Sequence, residues 1–513
     1  MAHLRSGRRR AIALPAGLAL TASLGFLPAG TATAATAVDS TSAVATAAAG
    51  PKLSYVVNFK VGKNTAKAVK KAVTKAGGSI VISYDRIGVI VVHSKNANFA
   101  KTIRKTSGVH SAGSTRTAPI GAAGDTSVGT ERPLSAKEAR AAAARAKAGQ
   151  DPLEPLQWGL PAIKADKAHE TSIGSKKVTV AVIDTGVDDT HPDLKPNFDR
   201  AASVNCVTGK PNTKAGAWRS GPRESGHGTH VAGTIAAAKN NVGGTGVAPG
   251  VKVAGIKVSN AQDLFYTEAV VCGFLWAADK GVEVTNNSYY VDPWLFNCKT
   301  NADQKALVEA VTRATRYAEG KGVVNVAAAG NSAMDLASKK LVDDSSPNDN
   351  NAPVNRVIDP SKCLDIPTQL PGVVTTSALG AKNLKSSFSN YGYDVVDISA
   401  PGGDATEYQA PDAPGTSGLI LSTLPGNEYG WAAGTSMASP HVAGVVALIK
   451  SKYPKASVAT LKAKLYGQAD DRVCTNPYDI DRDGVIDALC KGTRAKNSFY
   501  GTGVADALDA VRR

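Results

Sequence analysis

The sequence predicts an α/β protein with a mostly parallel central sheet and helices on both faces, preceded by a small ferredoxin-like α+β unit. Near-continuous apolar runs alternate with helical stretches over residues 156–513. Strands buried on both faces are typical of a parallel sheet that helices cover on each side. Residues 53–115 follow the order β-α-β-β-α instead, which suits a ferredoxin-like unit.

Residues 1–34 have the composition of a secretory signal peptide. The basic stretch HLRSGRRR precedes a mildly apolar stretch at 11–30, and small residues follow at 32–34 and again at 35–37. We therefore expect a secreted, extracellular protein, with twin-arginine export left open by the pair Arg8-Arg9. No later segment is long and apolar enough to cross a bilayer, so no stable membrane anchor is expected.

The segment 53–115 contains two helical patterns between strand patterns. LSYVVNFKV and GSIVISYDRIGVIVVHS predict three strands, whereas NTAKAVKKAVTKAG and NANFAKTIRKTSGV predict helices. Residues 116–155 are rich in Thr, Gly, Ala and Pro and are predicted to be a linker. Within this linker a helix is predicted over 135–149, with Ser135 and Glu138 as a capping box.

From residue 156 onward, six apolar runs predict the strands of the central sheet. Helical stretches such as EAVVCGFLWAADKG and QKALVEAVTRATRYAEGKG lie between several of them. In a sheet of this kind, ligands bind at the carboxyl ends of the strands. The predicted strands are 177–184, 251–258, 282–288, 322–330, 372–379 and 395–399.

The charge distribution argues against a nucleic-acid partner. The formal net charge is +16, but residues 1–125 carry 17 Lys and Arg against 3 Asp and Glu, and the remaining residues carry 42 against 40. A basic stripe on the main domain is therefore not expected.

The six cysteines form an even set without the CxxC spacing of a zinc site. In an exported protein this predicts up to three disulfides. Cys474 and Cys490 bracket one short loop and are predicted to pair, whereas the pairing of the other four stays open.

Four motifs place reactive side chains at strand ends or helix starts. AVIDTGVD ends a strand on Asp184, ESGHGTHVAGT carries His227, AAAGNS presents Asn331, and GTSMASPHVAG supplies Ser436. A helix is predicted to begin near Ser436, because Pro440 is tolerated only in a first helical turn.

These residue types fit nucleophilic catalysis. A serine hydroxyl needs a neighbouring base, histidine is suited to that task, and a carboxylate fixes the histidine tautomer. The backbone N–H of Ser436 and the Asn331 side chain are the candidate donors to an oxyanion. His227 and His230 also form an HxxH pair, but no third ligand supports zinc.

The motifs VIDTGVD, HGTHVAGT, AAAGN and GTSMASPHVAG resemble the signature blocks of the subtilisin-like serine peptidases, or subtilases, in the same Asp, His, Ser order. The resemblance covers about residues 156–513 and implies a serine endopeptidase that acts through an acyl-enzyme. It implies that Asp184 orients His227, that His227 is the general base and acid, that Ser436 attacks, and that Asn331 completes the oxyanion hole.

The same resemblance identifies residues 53–115 as an inhibitory prosegment and 116–155 as the maturation region of a self-processing zymogen. The expected partners are protein or peptide substrates and the chain's own prosegment, and the protein is expected to be a monomer. TNNSYY (285–290) is similar to the edge strand that pairs with substrate in this family. Substrate is expected to contact Ser288 and a first specificity pocket lined by Ala328–Gly330, that is Ala328, Ala329 and Gly330. The family commonly has a small residue where this chain has Tyr290, whose ring is expected to narrow the pocket.

The acidic stretch DIDRDGVIDALC (479–490) resembles a calcium loop. Asp479, Asp481, Asp483 and Asp487 occupy positions 1, 3, 5 and 9, but Cys490 stands where a bidentate Glu is expected. A structural calcium ion and a solvated acidic turn both remain open, and no cofactor is expected for catalysis.

Two alternatives to a general endopeptidase stay open. One is a dedicated processing peptidase with a narrow substrate, and the other is an inactive subtilase-fold binding protein. An α/β-hydrolase esterase is disfavoured, because that fold uses GxSxG and Ala438 stands where the second glycine belongs.

Overall fold

The N-terminal described unit is an antiparallel four-stranded sheet, in the order β2-β3-β1-β4. Alternate residues of β1 face opposite sides: Tyr55, Val57 and Phe59 pack against the two helices of this unit, whereas Val56 faces the rest of the chain. The computed structural model describes residues 50–121, 131–350, 352–406, 417–474, 476–480 and 482–512. The signal peptide predicted at 1–34 lies outside the described residues. The elements are β1 Leu53–Phe59, α1 Lys63–Lys75, β2 Gly78–Tyr84, β3 Val89–Ser94, α2 Phe99–Ile103 and β4 Val109–Ser114.

The predicted linker is partly helical and packs on the larger domain. Ser135 Oγ accepts from the Glu138 N–H (3.2 Å), and Ser135 N–H donates to the Glu138 carboxylate (2.8 Å), so the predicted capping box is present. The helix is shorter than predicted and ends at Ala143. The described elements after residue 130 are β5 Arg132–Pro133, α3 Ala136–Ala143, a 3₁₀ turn Glu154–Leu156, α4 Gly159–Ala162 and α5 Ala165–Ala168.

A parallel seven-stranded sheet forms the centre of the larger domain, in the order β16-β15-β11-β9-β6-β8-β7. All six strands predicted from apolar runs belong to it. The strands are β6 Thr179–Asp184, β7 Val204–Asn205, β8 Lys252–Lys257, β9 Val284–Asn287, β10 Asn297–Cys298, β11 Val324–Ala328, β12 Leu341–Asp343, β13 Arg356–Ile358, β14 Cys363–Leu364, β15 Val374–Leu379, β16 Ile398–Pro401, β17 Ile420–Leu424 and β18 Glu428–Ala432.

Helices cover both faces of this sheet, which confirms the predicted fold class. Val180 and Val182 of β6 pack on the side of α6 and α9, whereas Ala181 and Ile183 pack on the side of α7 and α8. Alternation along a strand divides the two cores in this way. The helices are α6 His227–Ala236, α7 Thr267–Asp279, α8 Ala302–Gly320, α9 Thr435–Lys452, α10 Val458–Gly467 and α11 Ala507–Arg512. Within the described ranges, no helix combines the length and the apolar character that a membrane span requires.

The free face of the N-terminal sheet packs against α7 and α8. Val56, Val89 and Val91 belong to the same apolar cluster as the inner residues of those helices. Arg313 of α8 donates from Nη1 to the carbonyl oxygens of Phe59, Ile87 and Gly88, at 2.7, 2.9 and 2.9 Å. A cationic side chain of the larger domain is thus bound to the backbone of the N-terminal unit.

The six cysteines form three disulfides, Cys206–Cys272, Cys298–Cys363 and Cys474–Cys490. The predicted Cys474–Cys490 pair is confirmed, and the structure supplies the two pairings that the sequence left open. All three disulfides lie within the larger domain.

Candidate active site

Asp184 and His227 meet where β6 ends and α6 begins. Asp184 Oδ1 lies 2.8 Å from His227 Nδ1, and the two side chains are buried. Gly228 permits this approach, because a Cβ added there would lie 2.4 Å from the carbonyl oxygen of Gly186 and 3.1 Å from the Asp184 Cβ. The glycine in HGTH therefore lets the helix start against the strand end.

The charge of Asp184 favours the protonated imidazole. Burial by itself would lower the pKa of His227, but the Asp184 charge and hydrogen bond outweigh it, so the pKa is raised. His230 differs: its Nε2 lies 3.1 Å from the carbonyl oxygens of Ile420 and Gly430, and burial lowers its pKa to about 3. His230 is thus a neutral, hydrogen-bonded structural residue.

Ser436 is the second residue of α9, so the helix begins near it, as predicted. Pro440 is the sixth residue and therefore lies in the second turn, not the first. Proline has no N–H, so it leaves the carbonyl oxygen of Ser436 without its usual helical donor. Ser288 Oγ supplies the donor instead, at 3.1 Å. A side chain from the end of β9 thereby compensates for the proline.

The Ser436 hydroxyl faces the same cleft as His227. Its Oγ donates to the carbonyl oxygen of Ser288 at 3.3 Å, and no hydrogen bond joins it to His227. Catalytic hydrogen bonds of this kind are often long without substrate and tighten only in the substrate complex. Asp184 and His227 are therefore hydrogen-bonded to each other, while the Ser436 hydroxyl donates to a backbone carbonyl.

Two N–H donors converge beside Gly434. Asn331 Oδ1 accepts from the backbone N–H and the hydroxyl of Thr435, at 2.9 and 2.8 Å, which leaves its Nδ2 free to face the cleft. A Cβ added to Gly434 would lie 3.3 Å from Asn331 Nδ2 and 3.5 Å from the Ser436 nitrogen. Both nitrogens therefore lie within 3.5 Å of one point beside Gly434, as two donors to a common acceptor must.

Asn390 holds the turn that carries Asn331, and sequence reasoning missed it. Its Nδ2 donates to the Ala329 carbonyl at 2.9 Å, and its Oδ1 accepts from the N–H groups of Ser332 and Met334 at 3.0 and 2.9 Å. Gly330, between them, has a left-handed φ of 95° that favours glycine. SNYG, the stretch around Asn390, matches no motif, so only the fold reveals this role.

The cleft is a cavity of about 300 Å³ that both His227 and Ser436 line. Of the predicted substrate residues, Ser288, Ala328 and Gly330 also line it. Ala329 does not: it is fully buried, because consecutive residues of an extended chain point to opposite sides. Tyr290 forms part of the wall, as expected, and its hydroxyl accepts from Asn348 Nδ2 at 3.0 Å.

The acidic loop at 479–490 is only partly described. Asp479, Asp483 and Asp487 each accept a backbone N–H from within the loop, at 3.0, 2.7 and 2.8 Å, and Asp481 lies outside the described residues. Asp479 Oδ1 is buried without a hydrogen-bond partner, which suits a cation ligand. No group of three potential ligands meets among the described residues, so calcium stays a prediction.

Comparison with known proteins decides the family. The model of the subtilase family matches residues 175–503. This chain belongs to the subtilase family. Subtilisin BL from Lederbergia lenta is 32% identical over 323 residues, which cover 63% of this chain and 94% of that protein. This subtilase is accordingly a serine endopeptidase.

Solved structures support the fold of this subtilase. The epidermin leader peptide processing serine protease from Staphylococcus aureus has a TM-score of 0.63 and 23% identity, covering 90% of this chain and 98% of that chain. A lanthipeptide protease has a TM-score of 0.52 and 25% identity, covering 70% of this chain and 95% of that chain.

Proposed function

We propose that this subtilase is a secreted, self-processing endopeptidase that cleaves protein or peptide substrates with Asp184, His227, Ser436 and Asn331. The supporting observation is the buried hydrogen bond between Asp184 and His227. His227 lines the same cleft as Ser436 and the two donors beside Gly434. Secretion rests on the composition of residues 1–34.

In the proposed reaction, His227 Nε2 takes the proton of Ser436 Oγ as that oxygen attacks the scissile carbonyl carbon. The carbonyl oxygen becomes an oxyanion and accepts hydrogen bonds from Ser436 N–H and Asn331 Nδ2. Asp184 stabilises the imidazolium, which then protonates the leaving amine. Water repeats the sequence on the acyl-enzyme and releases the second product.

We propose residues 53–115 as the prosegment and 116–155 as the region cut on maturation, ahead of a peptidase domain over 156–513. The described residues on either side of 122–130 lie near the cleft. Thr117 N–H donates to Asp349 at 2.8 Å, next to the Asn348 that binds Tyr290, and Glu131 lines the cleft beside His227. This placement would bring the maturation region to the catalytic groups.

Two measurements on Ser436→Ala test these proposals. A fluorophosphonate should label the processed wild-type protein and not this variant, since label forms on the activated serine. Ser436→Ala should also retain residues 53–115, whereas Ser361→Ala, a change at an exposed serine, should mature normally. Normal maturation of Ser436→Ala without another protease present would disprove self-processing.

A processing peptidase with one physiological substrate is the second candidate. It is favoured by the likeness to a lanthipeptide protease at 25% identity. Digestion of a peptide library with mass spectrometry of the products separates the two: a broad endopeptidase yields many cleaved sequences, and a dedicated enzyme yields few.

A further inference from the structure

Asp365 is a buried carboxylate in the wall of the cleft. It follows strand β14, is 2% exposed, and its backbone N–H donates to Gln369 Oε1 at 2.8 Å. A Cβ added to Gly330 would lie 3.6 Å from Asp365 Oδ2. The carboxylate therefore lies next to Gly330, the residue before Asn331. This part of the cleft is expected to hold the substrate side chain that precedes the scissile bond.

The Asp365 side chain has no partner within the described part of the chain. Its Oδ1 is buried without a hydrogen bond, and neither carboxylate oxygen joins an ion pair there. No lysine or arginine is among the described residues that line the cleft. Burial raises the pKa of Asp365 well above its ordinary value, which reflects the cost of an unpaired buried charge.

Asp292, the other buried aspartate of the cleft wall, provides the contrast. One of its oxygens accepts from the Phe265 N–H and the other accepts from Asn348 Nδ2 at 2.7 Å. Asp292 is thus satisfied by the protein, whereas Asp365 has both oxygens available. A cleft that buries a carboxylate without a partner is complementary to a cation that the substrate brings.

We propose that Asp365 determines specificity in the first pocket and selects arginine or lysine at P1, the residue whose carbonyl is attacked. This inference rests on the proposed function, because it assumes that Ser436 attacks that carbonyl. A long basic side chain bound beyond Gly330 supplies the missing donors to Asp365. With an apolar P1 side chain the Asp365 carboxyl stays buried without a charged partner, so that complex lacks the stabilisation that a basic side chain gains there.

The test is a cycle of two substrates and two enzymes. The substrates are matched fluorogenic tetrapeptides with P1 arginine or P1 citrulline, its neutral isostere, and the enzymes are matured wild type and Asp365→Asn. Wild type should prefer arginine by about a hundredfold in kcat/KM, the size expected for a buried charge pair. Asp365→Asn should bring this ratio to within about threefold, while Asp292→Asn, which removes a charge that the protein already binds, should keep most of it.

A second measurement does not depend on hydrolysis. A labelled product peptide that ends in P1 arginine should bind wild type more tightly than its citrulline counterpart, by fluorescence polarisation, and Asp365→Asn should remove the difference. Fluorophosphonate labelling of Asp365→Asn shows that the variant is folded.

The outcomes separate the two proposals. Labelling and hydrolysis without arginine preference, or an unchanged ratio in Asp365→Asn, would overturn the role of Asp365 and leave the endopeptidase intact. Loss of preference in Asp292→Asn to the same extent would also overturn the assignment to Asp365. No label and no hydrolysis in wild type would overturn the proposed function, and peptide binding would then decide the inference alone.

Discussion

Replacement of Asp184 by Asn measures how much the buried acid contributes to catalysis. The change preserves the side-chain shape but removes the charge that faces His227 Nδ1 at 2.8 Å. With an effective dielectric constant of about 20, the attraction between this carboxylate and an imidazolium is about 6 kcal/mol. Because the imidazolium forms only during the reaction, kcat should fall about 10⁴-fold.

The pH dependence supplies a second readout for Asp184→Asn. His227 must be neutral to accept the Ser436 proton, so activity falls as the pH drops through the His227 pKa. Asp184 raises that pKa. Its removal should therefore move the acidic limb of the kcat profile to lower pH while the plateau falls. Initial rates on one peptide substrate across pH give both quantities.

Asp263→Asn is the matched control. Asp263 also raises the pKa of His227, but through its charge alone and without a hydrogen bond to the ring. We expect a small shift of the acidic limb to lower pH and a kcat within about threefold of wild type, since a charge that makes no hydrogen bond to the ring is partly screened. A kcat for Asp184→Asn within tenfold of wild type, or an acidic limb at higher pH, would refute the assigned role.

Three further predictions concern the other parts of the molecule. Asn331→Ala should lower kcat by about 10²–10³ with little change in KM, the loss seen when a subtilisin loses this donor; an unchanged kcat would remove Asn331 from the oxyanion hole. Arg313→Met removes the donor shared by three carbonyls of the N-terminal unit. This loss should weaken the binding of the proposed prosegment to the peptidase by about 1.5–3 kcal/mol. The delay between the maturation cut and the appearance of activity should therefore shorten about tenfold or more, and an unchanged delay would show that this contact does not retain the prosegment. EDTA should lower Tm by a few degrees if calcium binds at 479–490, and Asp487→Asn should abolish that effect; equal sensitivity in both proteins would place the ion elsewhere.

The sequence predicts those features that depend on local pattern. The six central strands are apolar over most of their length, and parallel pairing follows from the helices between them. The strand β4 has no separate signal, because VHSAGS has a single large apolar residue and forms a strand only by pairing with β1. The predicted helix at 135–149 is longer than α3, since alanine-rich sequence continues beyond the point where the helix ends.

In the candidate active site, sequence motifs locate Asp184, His227, Asn331 and Ser436. They do not locate the residues from distant parts of the sequence that support or line the site. Asn390 lies 59 positions beyond Asn331 and acts through hydrogen bonds that only the fold creates. Sequence reasoning also missed Asp365, because an aspartate after a cysteine and a leucine carries no local signal of burial. The structure buries Ala329 between two residues that line the cleft, because a motif names consecutive residues whereas an extended chain exposes alternate ones.

The placement of the three disulfides governs what happens after a cut in the maturation region. The first cysteine is Cys206, so the chain up to residue 205 contains none that could tether the two pieces. If residues 53–115 are the prosegment that we propose, the severed prosegment and the peptidase would then form a reversible complex that obeys mass action. If the enzyme is secreted as we propose, dilution outside the cell should be enough to separate the two pieces, whereas a covalent tether would hold them at a fixed effective concentration. Activity is then expected to rise as the enzyme spreads from its source.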